Sequence, residues 1–194
     1  MVEVLFKVKF IRNNPKLYLR SFALIFWKSG QFWLVTLIVF ATVVLMAAVY
    51  LDWLNLSFRI SGLYFTHWLS LVGTLFISIY TPIYYILRRL YPIQGKKLLA
   101  IHVFGNLFAF LLVSIHFAGQ VGRPAQFFPE GRTGIALYII TLITVATGII
   151  HRFGLVSFLG KFRSPQRNRF VHVALSISFY IVVVVHVLHN IGFL

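Results

Sequence analysis

The chain has 194 residues, of which 60% are hydrophobic and only 11% are charged, and it contains no cysteine. Soluble domains are usually about one quarter charged, so this composition excludes an ordinary soluble domain. The lack of cysteine excludes disulfides, zinc–thiolate sites, iron–sulfur clusters and covalently attached c-type haem. The composition therefore predicts an integral membrane protein.

Five apolar segments are long enough to cross a hydrocarbon core of roughly 30 Å as helices. They cover residues 30–51, 61–87, 98–119, 133–151 and 170–192. The sequence thus predicts an all-α membrane protein with five transmembrane helices in a single domain, residues 30–194. Within it, a four-helix bundle spans about 61–194, and one N-terminal helix precedes the bundle. Residues 1–29 mix basic and apolar side chains, and we expect them to lie along the inner membrane surface.

The formal net charge of +15 is distributed unevenly between the predicted loops. With a cytoplasmic N-terminus, fifteen of the 18 basic residues fall inside, and only Arg59, Arg123 and Arg132 fall outside. This asymmetry is the one that the positive-inside rule describes. The charge therefore predicts a multi-pass cell-membrane protein with its N-terminus in the cytoplasm and its C-terminus outside, and it gives no reason to expect a nucleic-acid partner.

Two apolar segments carry histidine pairs with the same spacing. His102 and His116 delimit most of the stretch "IHVFGNLFAFLLVSIH", and His172 and His186 are also fourteen residues apart. Fourteen residues make almost four helical turns, so both rings of a pair share one helix face about 21 Å apart along the axis. The third and fifth segments run parallel across the membrane. They are therefore predicted to present two facing pairs, one inner and one outer.

The inner pair is His102 with His172, and the outer pair is His116 with His186. Each pair offers two ligands, fewer than the four of a structural zinc site but enough for axial ligation of iron in a planar macrocycle. The alternative is that the histidines are polar core residues satisfied by hydrogen bonds. His189 is a less favourable substitute for His186, because its spacing from His172 turns the ring away.

Small and basic residues near the histidines fit the same interpretation. Gly105 and Gly119 each follow a histidine by three positions, where the absence of a side chain lets a porphyrin approach the backbone. Arg123 and Arg132 are outer basic residues that the positive-inside rule does not require, and they are candidates to bind the propionates of an outer haem.

The histidine pattern resembles that of the di-haem transmembrane b-type cytochromes. These include the cytochrome b subunit of quinol–cytochrome c reductases and the membrane domains of ferric reductases and NADPH oxidases. The resemblance covers about residues 61–194 and implies two b-type haems, the inner one on His102 and His172 and the outer one on His116 and His186. It does not extend to flavin or nicotinamide domains, so we expect a cytosolic donor to be a separate protein. The "FFPEGR" stretch lies in a different loop from the quinol-site motif of cytochrome b. We therefore do not assign the quinol site of that family to these residues.

The expected function is transmembrane electron transfer through two stacked bis-histidine b haems. The preferred setting is the membrane cytochrome b subunit of a respiratory complex that exchanges electrons with quinol and partner subunits, and quinone is a further candidate cofactor. Two alternatives stay open: a free-standing membrane reductase with an outer acceptor such as ferric iron or oxygen, and a haem-free scaffold subunit. Whether the chain is a complete enzyme stays open, as do the roles of His67, His151 and His189.

Overall fold

The computed structural model of the chain describes residues 30–122, 131–153 and 165–193. In these ranges it has five long helices: α1 Gly30–Tyr50, α2 Phe65–Leu90, α3 Gly95–Val121, α4 Gly131–Arg152 and α5 Pro165–Asn190. All five are long and apolar enough to cross a membrane. This confirms the predicted all-α, multi-pass membrane architecture. Residues 1–29, Arg123 and the side chain of Arg132 lie outside the described residues.

Helix α2 begins later than predicted because a short hairpin precedes it. Strands β1 (Arg59–Ile60) and β2 (Leu63–Tyr64) pair antiparallel. The turn between them includes Gly62 at a φ of 83°, a left-handed conformation that glycine adopts without strain. Trp68 of α2 donates a hydrogen bond from Nε1 to the backbone of β1 at 3.0 Å. Hydropathy does not mark the exact start of α2, because Leu63 and Tyr64 of the hairpin run directly into the apolar helix.

Two helices extend beyond their apolar runs at the inner side. Helix α5 begins at Pro165 rather than at residue 170, since proline is favourable in the first turn of a helix. Helix α3 begins at Gly95, directly after a 3₁₀ turn at Pro92–Gln94. Pro82 lies inside α2, which continues through it to Leu90. The polar residues at these ends can lie at the membrane surface, where hydropathy alone does not mark a helix.

Helices α2, α3, α4 and α5 form a closed ring. Helix α3 packs against α1, α2 and α4, and α4 packs against α5. The ring closes between α5 and α2, because the Tyr180 hydroxyl lies 3.3 Å from the carbonyl oxygens of Ile77 and Ser78 and donates to them. Helices α3 and α5 therefore lie on a diagonal of the ring, and α1 covers α3 from outside.

An apolar cluster fills the middle of the ring. Leu137, Phe179 and Val183 are buried together. Phe179 is seven residues from both His172 and His186, so the cluster lies halfway between the two histidine levels. Ile77 of α2 packs against it as well. The ring thus has an apolar waist with one pair of histidine positions on each side.

The outward faces of the helices carry large exposed apolar side chains. Examples are Leu37 and Phe40 of α1, Ile79 of α2 and Ile181 of α5, which are 61%, 66%, 55% and 62% exposed. Such surfaces are unfavourable in water but suit the hydrocarbon core of a bilayer. The exposed surface therefore agrees with the membrane environment that composition predicts.

Candidate functional site

The four predicted histidines lie on the two diagonal helices. His102 and His116 are on α3, His172 and His186 are on α5, and all four side chains are half-buried. Both helices run without interruption between their two histidines, which places the two levels about 21 Å apart along the axis. His102 and His172 lie within electrostatic range of each other. The pairing of these two histidines, and of His116 with His186, stays a prediction.

The rings of α3 are oriented by side chains of α2. The Tyr84 ring stacks on His102 with centroids 4.3 Å apart and planes 15° apart. His67 meets His116 edge to face, with centroids 4.8 Å apart. Asn106, one turn after His102, donates a hydrogen bond to the His102 carbonyl oxygen at 2.7 Å, and its Nδ2 lies 3.1 Å from the His102 Nδ1. Neighbouring aromatic rings therefore restrict the ring orientation of both histidines of α3.

Arg88 places a positive charge beside the inner level. Its Nη1 donates to the Tyr84 hydroxyl at 2.9 Å, and its charge lies within interaction range of His102. From the sequence, Arg88 is expected only as one of the inner basic residues. In the structure, its position suits it to bind an anionic group near the inner pair.

The inner ring of α5 is held by α4. The His172 Nδ1 lies 3.1 Å from both the Thr147 Oγ1 and the Thr144 carbonyl oxygen. A carbonyl oxygen can only accept, so Nδ1 carries the hydrogen and Nε2 keeps its lone pair. The Thr147 hydroxyl donates to backbone carbonyl oxygens of its own helix at 2.9 Å, so it accepts from the ring. His172 is therefore fixed in the tautomer that can ligate a metal through Nε2.

The outer ring of α5 also has a threonine partner on α4. The His186 Nδ1 lies 3.0 Å from the Thr133 Oγ1. The Asn190 Nδ2 is farther from this nitrogen, at 3.3 Å, and donates its shorter hydrogen bond, 2.6 Å, to the His186 carbonyl oxygen. Of these two atoms near the His186 Nδ1, the Thr133 hydroxyl is the closer one, and it belongs to a different helix.

A glycine beside each threonine makes room for the imidazole. A Cβ at Gly148 would lie 3.2 Å from the His172 Cε1, and one at Gly134 would lie 3.4 Å from the His186 Cε1. Helix α4 therefore contains the Thr-Gly dipeptide twice, fourteen residues apart. These four residues are not among the predicted site residues, although the repeat of "TG" at the histidine spacing is visible in the sequence.

The two predicted glycines of α3 are covered by other side chains. The Phe76 ring lies directly against Gly105, and Gly119 faces Thr66, whose Cγ2 would be 3.2 Å from an added Cβ. A porphyrin over Gly105 requires the Phe76 ring to rotate away. The porphyrin contacts of both glycines stay predictions, as does the binding of propionates by Arg123 and Arg132.

Two imidazoles at each level would suit axial ligation of a haem iron, which stays a prediction. Within the described ranges, no group of three or more His, Cys, Asp or Glu side chains is placed to hold a metal ion.

Comparisons with protein-family models, with curated proteins and with solved structures found no match for this chain.

Proposed function

We propose that the chain is a transmembrane electron-transfer protein of the di-haem b-type cytochrome kind. The observation that carries the proposal is the hydrogen bonding of His172, whose Nδ1 is held by Thr147 and by the Thr144 carbonyl oxygen. Ligating histidines characteristically donate their second ring nitrogen to such a partner, which fixes the tautomer. When bound, haem supplies the one-electron redox chemistry that these side chains lack.

The chain's own residues would hold two such groups at different depths. His102 with His172 supplies the inner ligands, and His116 with His186 supplies the outer ligands. The apolar waist around Phe179 lies between the two levels. Arg88 offers a charge that can bind an inner propionate. Together these features support electron transfer along the bundle axis, from one face of the membrane to the other.

The proposal includes partners at the two membrane faces. Electron transfer across a bilayer needs a donor and an acceptor, and we assign these roles to quinol and to partner subunits of a respiratory complex. This assignment is tested by adding quinol to the isolated chain and following haem reduction. Reduction by quinol alone supports direct exchange, whereas reduction only in the presence of a soluble protein donor assigns the donor role to that protein.

The central experiment counts haems in the detergent-purified chain and in its histidine variants. We expect two b-type haems per polypeptide in a reduced-minus-oxidised absorption spectrum with haem extraction. His102→Ala and His172→Ala should each lose the same one haem, and His116→Ala and His186→Ala should each lose the other. Ile93→Ala is the control and should keep both, because Ile93 is 98% exposed between α2 and α3.

Full haem content in His102→Ala or His172→Ala would contradict the ligand assignment. A folded wild-type chain without haem would contradict the proposed function and favour the scaffold alternative. Folding is checked by a single symmetric peak in size-exclusion chromatography and by thermal unfolding in detergent, since transmembrane helices can keep their helical signal after the bundle has separated.

A further inference from the structure

Helix α4 carries two Thr-Gly dipeptides that face the histidines of α5. They are Thr133-Gly134 and Thr147-Gly148, with the same fourteen-residue spacing as the histidines. We infer that they are positioning elements, which fix the tautomer and the ring orientation of the α5 ligands of both haems. This inference rests on the proposed function, and it adds residues from a helix that contributes no ligand of its own.

The hydroxyl of each dipeptide acts on the nitrogen that does not face iron. Thr133 Oγ1 lies 3.0 Å from the His186 Nδ1, and Thr147 Oγ1 lies 3.1 Å from the His172 Nδ1. At the inner level the Thr147 hydroxyl accepts from Nδ1–H, which leaves Nε2 free for ligation. At the outer level the Thr133 hydroxyl would do the same with Nδ1 protonated. Such an acceptor also raises the basicity of the imidazole toward a metal. The threonines should therefore affect the reduction potentials as well as the binding of the haems.

The glycine of each dipeptide allows the imidazole to lie against the helix backbone. The His172 Cε1 lies 3.2 Å, and the His186 Cε1 lies 3.4 Å, from the point that a Cβ would occupy. An added Cβ at Gly148 would compete with the ring for space, whereas one at Gly134 would be in ordinary van der Waals contact with it. Threonine and glycine together therefore provide both the hydrogen bond and the surface on which the ring lies.

The two dipeptides differ in how much support surrounds them. At the inner level the Thr144 carbonyl oxygen also accepts from His172 at 3.1 Å. Asn168, which is buried, donates to the Thr147 carbonyl oxygen at 3.0 Å and fixes α5 on α4. At the outer level the further polar atom near the His186 Nδ1 is the Asn190 Nδ2, at 3.3 Å, which is a donor and cannot accept a hydrogen bond from Nδ1–H. The outer ligand should therefore depend more strongly on its threonine than the inner ligand does.

The test measures haem content, midpoint potentials and the low-spin ferric EPR spectrum of the full chain. Thr133→Val should weaken binding of the outer haem by about 10–100-fold, the range typical for loss of a partner of a metal ligand, and should raise its midpoint potential. Thr147→Val should change only the inner haem, and by less. Thr133→Ser and Thr147→Ser restore the hydroxyl and should restore wild-type values.

Thr141→Val is the matched control. Thr141 lies between the two dipeptides, and its buried hydroxyl donates to the Leu137 carbonyl oxygen of its own helix at 2.7 Å. It should leave both haems unchanged. Two haems in the wild-type chain with unchanged potentials and EPR spectra in both valine variants would overturn this inference and leave the proposed function standing. A folded wild-type chain without haem would overturn the proposed function and this inference together.

Discussion

At the scale of single residues, the two glycines of α4 differ in the space that they leave. An added Cβ would lie 3.2 Å from the ring atom of His172 at Gly148, but 3.4 Å from that of His186 at Gly134. The first distance is tighter than most real contacts of a Cβ atom, and the second is an ordinary van der Waals contact. The same methyl group should therefore move one ring and leave the other in place.

Gly148→Ala is expected to reduce occupancy of the inner haem and to destabilise the folded chain by about 1–3 kcal/mol, the typical cost of overpacking. Gly134→Ala should keep both haems. Gly95→Ala is a control in open space, where nothing lies within 4 Å of the added atom. Haem content and thermal unfolding in detergent measure both effects. Equal behaviour of the Gly148 and Gly134 variants would show that ring contact does not govern either position.

The same residues show why the sequence revealed only half of the site. His102, His116, His172 and His186 could be identified because an ionisable residue inside an apolar segment is conspicuous. Threonine and glycine are common at helix contacts in membranes, so the "TG" repeat is visible in the sequence but does not by itself indicate a role beside a ligand. Their role depends on which helix packs against α5, and this is decided by the tertiary arrangement and not by any local pattern.

At the scale of helices, the closest described approach of two backbones is between α2 and α3. A Cβ at Gly73 would lie only 2.7 Å from the Ala109 carbonyl oxygen. Small residues allow such close packing between transmembrane helices, whose association relies on van der Waals contact. Helix α2 also carries Tyr84 and His67, which contact the two histidines of α3. The distance between these helices should therefore affect both histidine levels.

Gly73→Ala is expected to separate α2 from α3, because backbone atoms cannot rotate away as a flexible side chain can. We expect a loss of about 1–3 kcal/mol of stability and reduced content of both haems. Gly30→Ala serves as the control, since no atom lies within 4 Å of its added methyl group. Thermal unfolding followed by circular dichroism measures the stability. An unchanged unfolding temperature would show that the two backbones are not in tight contact.

Helix number and helix ends were not equally predictable. The number follows from apolar length, since about 20 residues are needed to span the hydrocarbon core. The ends depend on local chemistry that hydropathy does not measure, such as the left-handed turn at Gly62 before α2 and the proline that begins α5. Hydropathy therefore predicted which segments cross the membrane more reliably than where each helix begins.

At the scale of the whole molecule, the orientation of the bundle decides which histidine level lies near the cytoplasm. The connection between α2 and α3 is flanked by Arg88, Arg89, Lys96 and Lys97, so the positive-inside rule predicts that it lies inside. The connection between α1 and α2 is then expected outside. The level of His102 and His172 is close to the inner face only if this orientation holds.

Single-cysteine labelling in whole cells tests the orientation, and the cysteine-free chain gives every variant one thiol. Ser57→Cys lies in the connection before α2 and is exposed, and Ile93→Cys replaces a side chain that is 98% exposed between α2 and α3. A membrane-impermeant maleimide should label Ser57→Cys in intact cells and Ile93→Cys only after permeabilisation. The reverse pattern would place His102 and His172 in the outer leaflet, so that an outside donor or acceptor would meet this pair first. Because α2 crosses the membrane once between the two sites, labelling of both from outside would contradict the five-span arrangement itself.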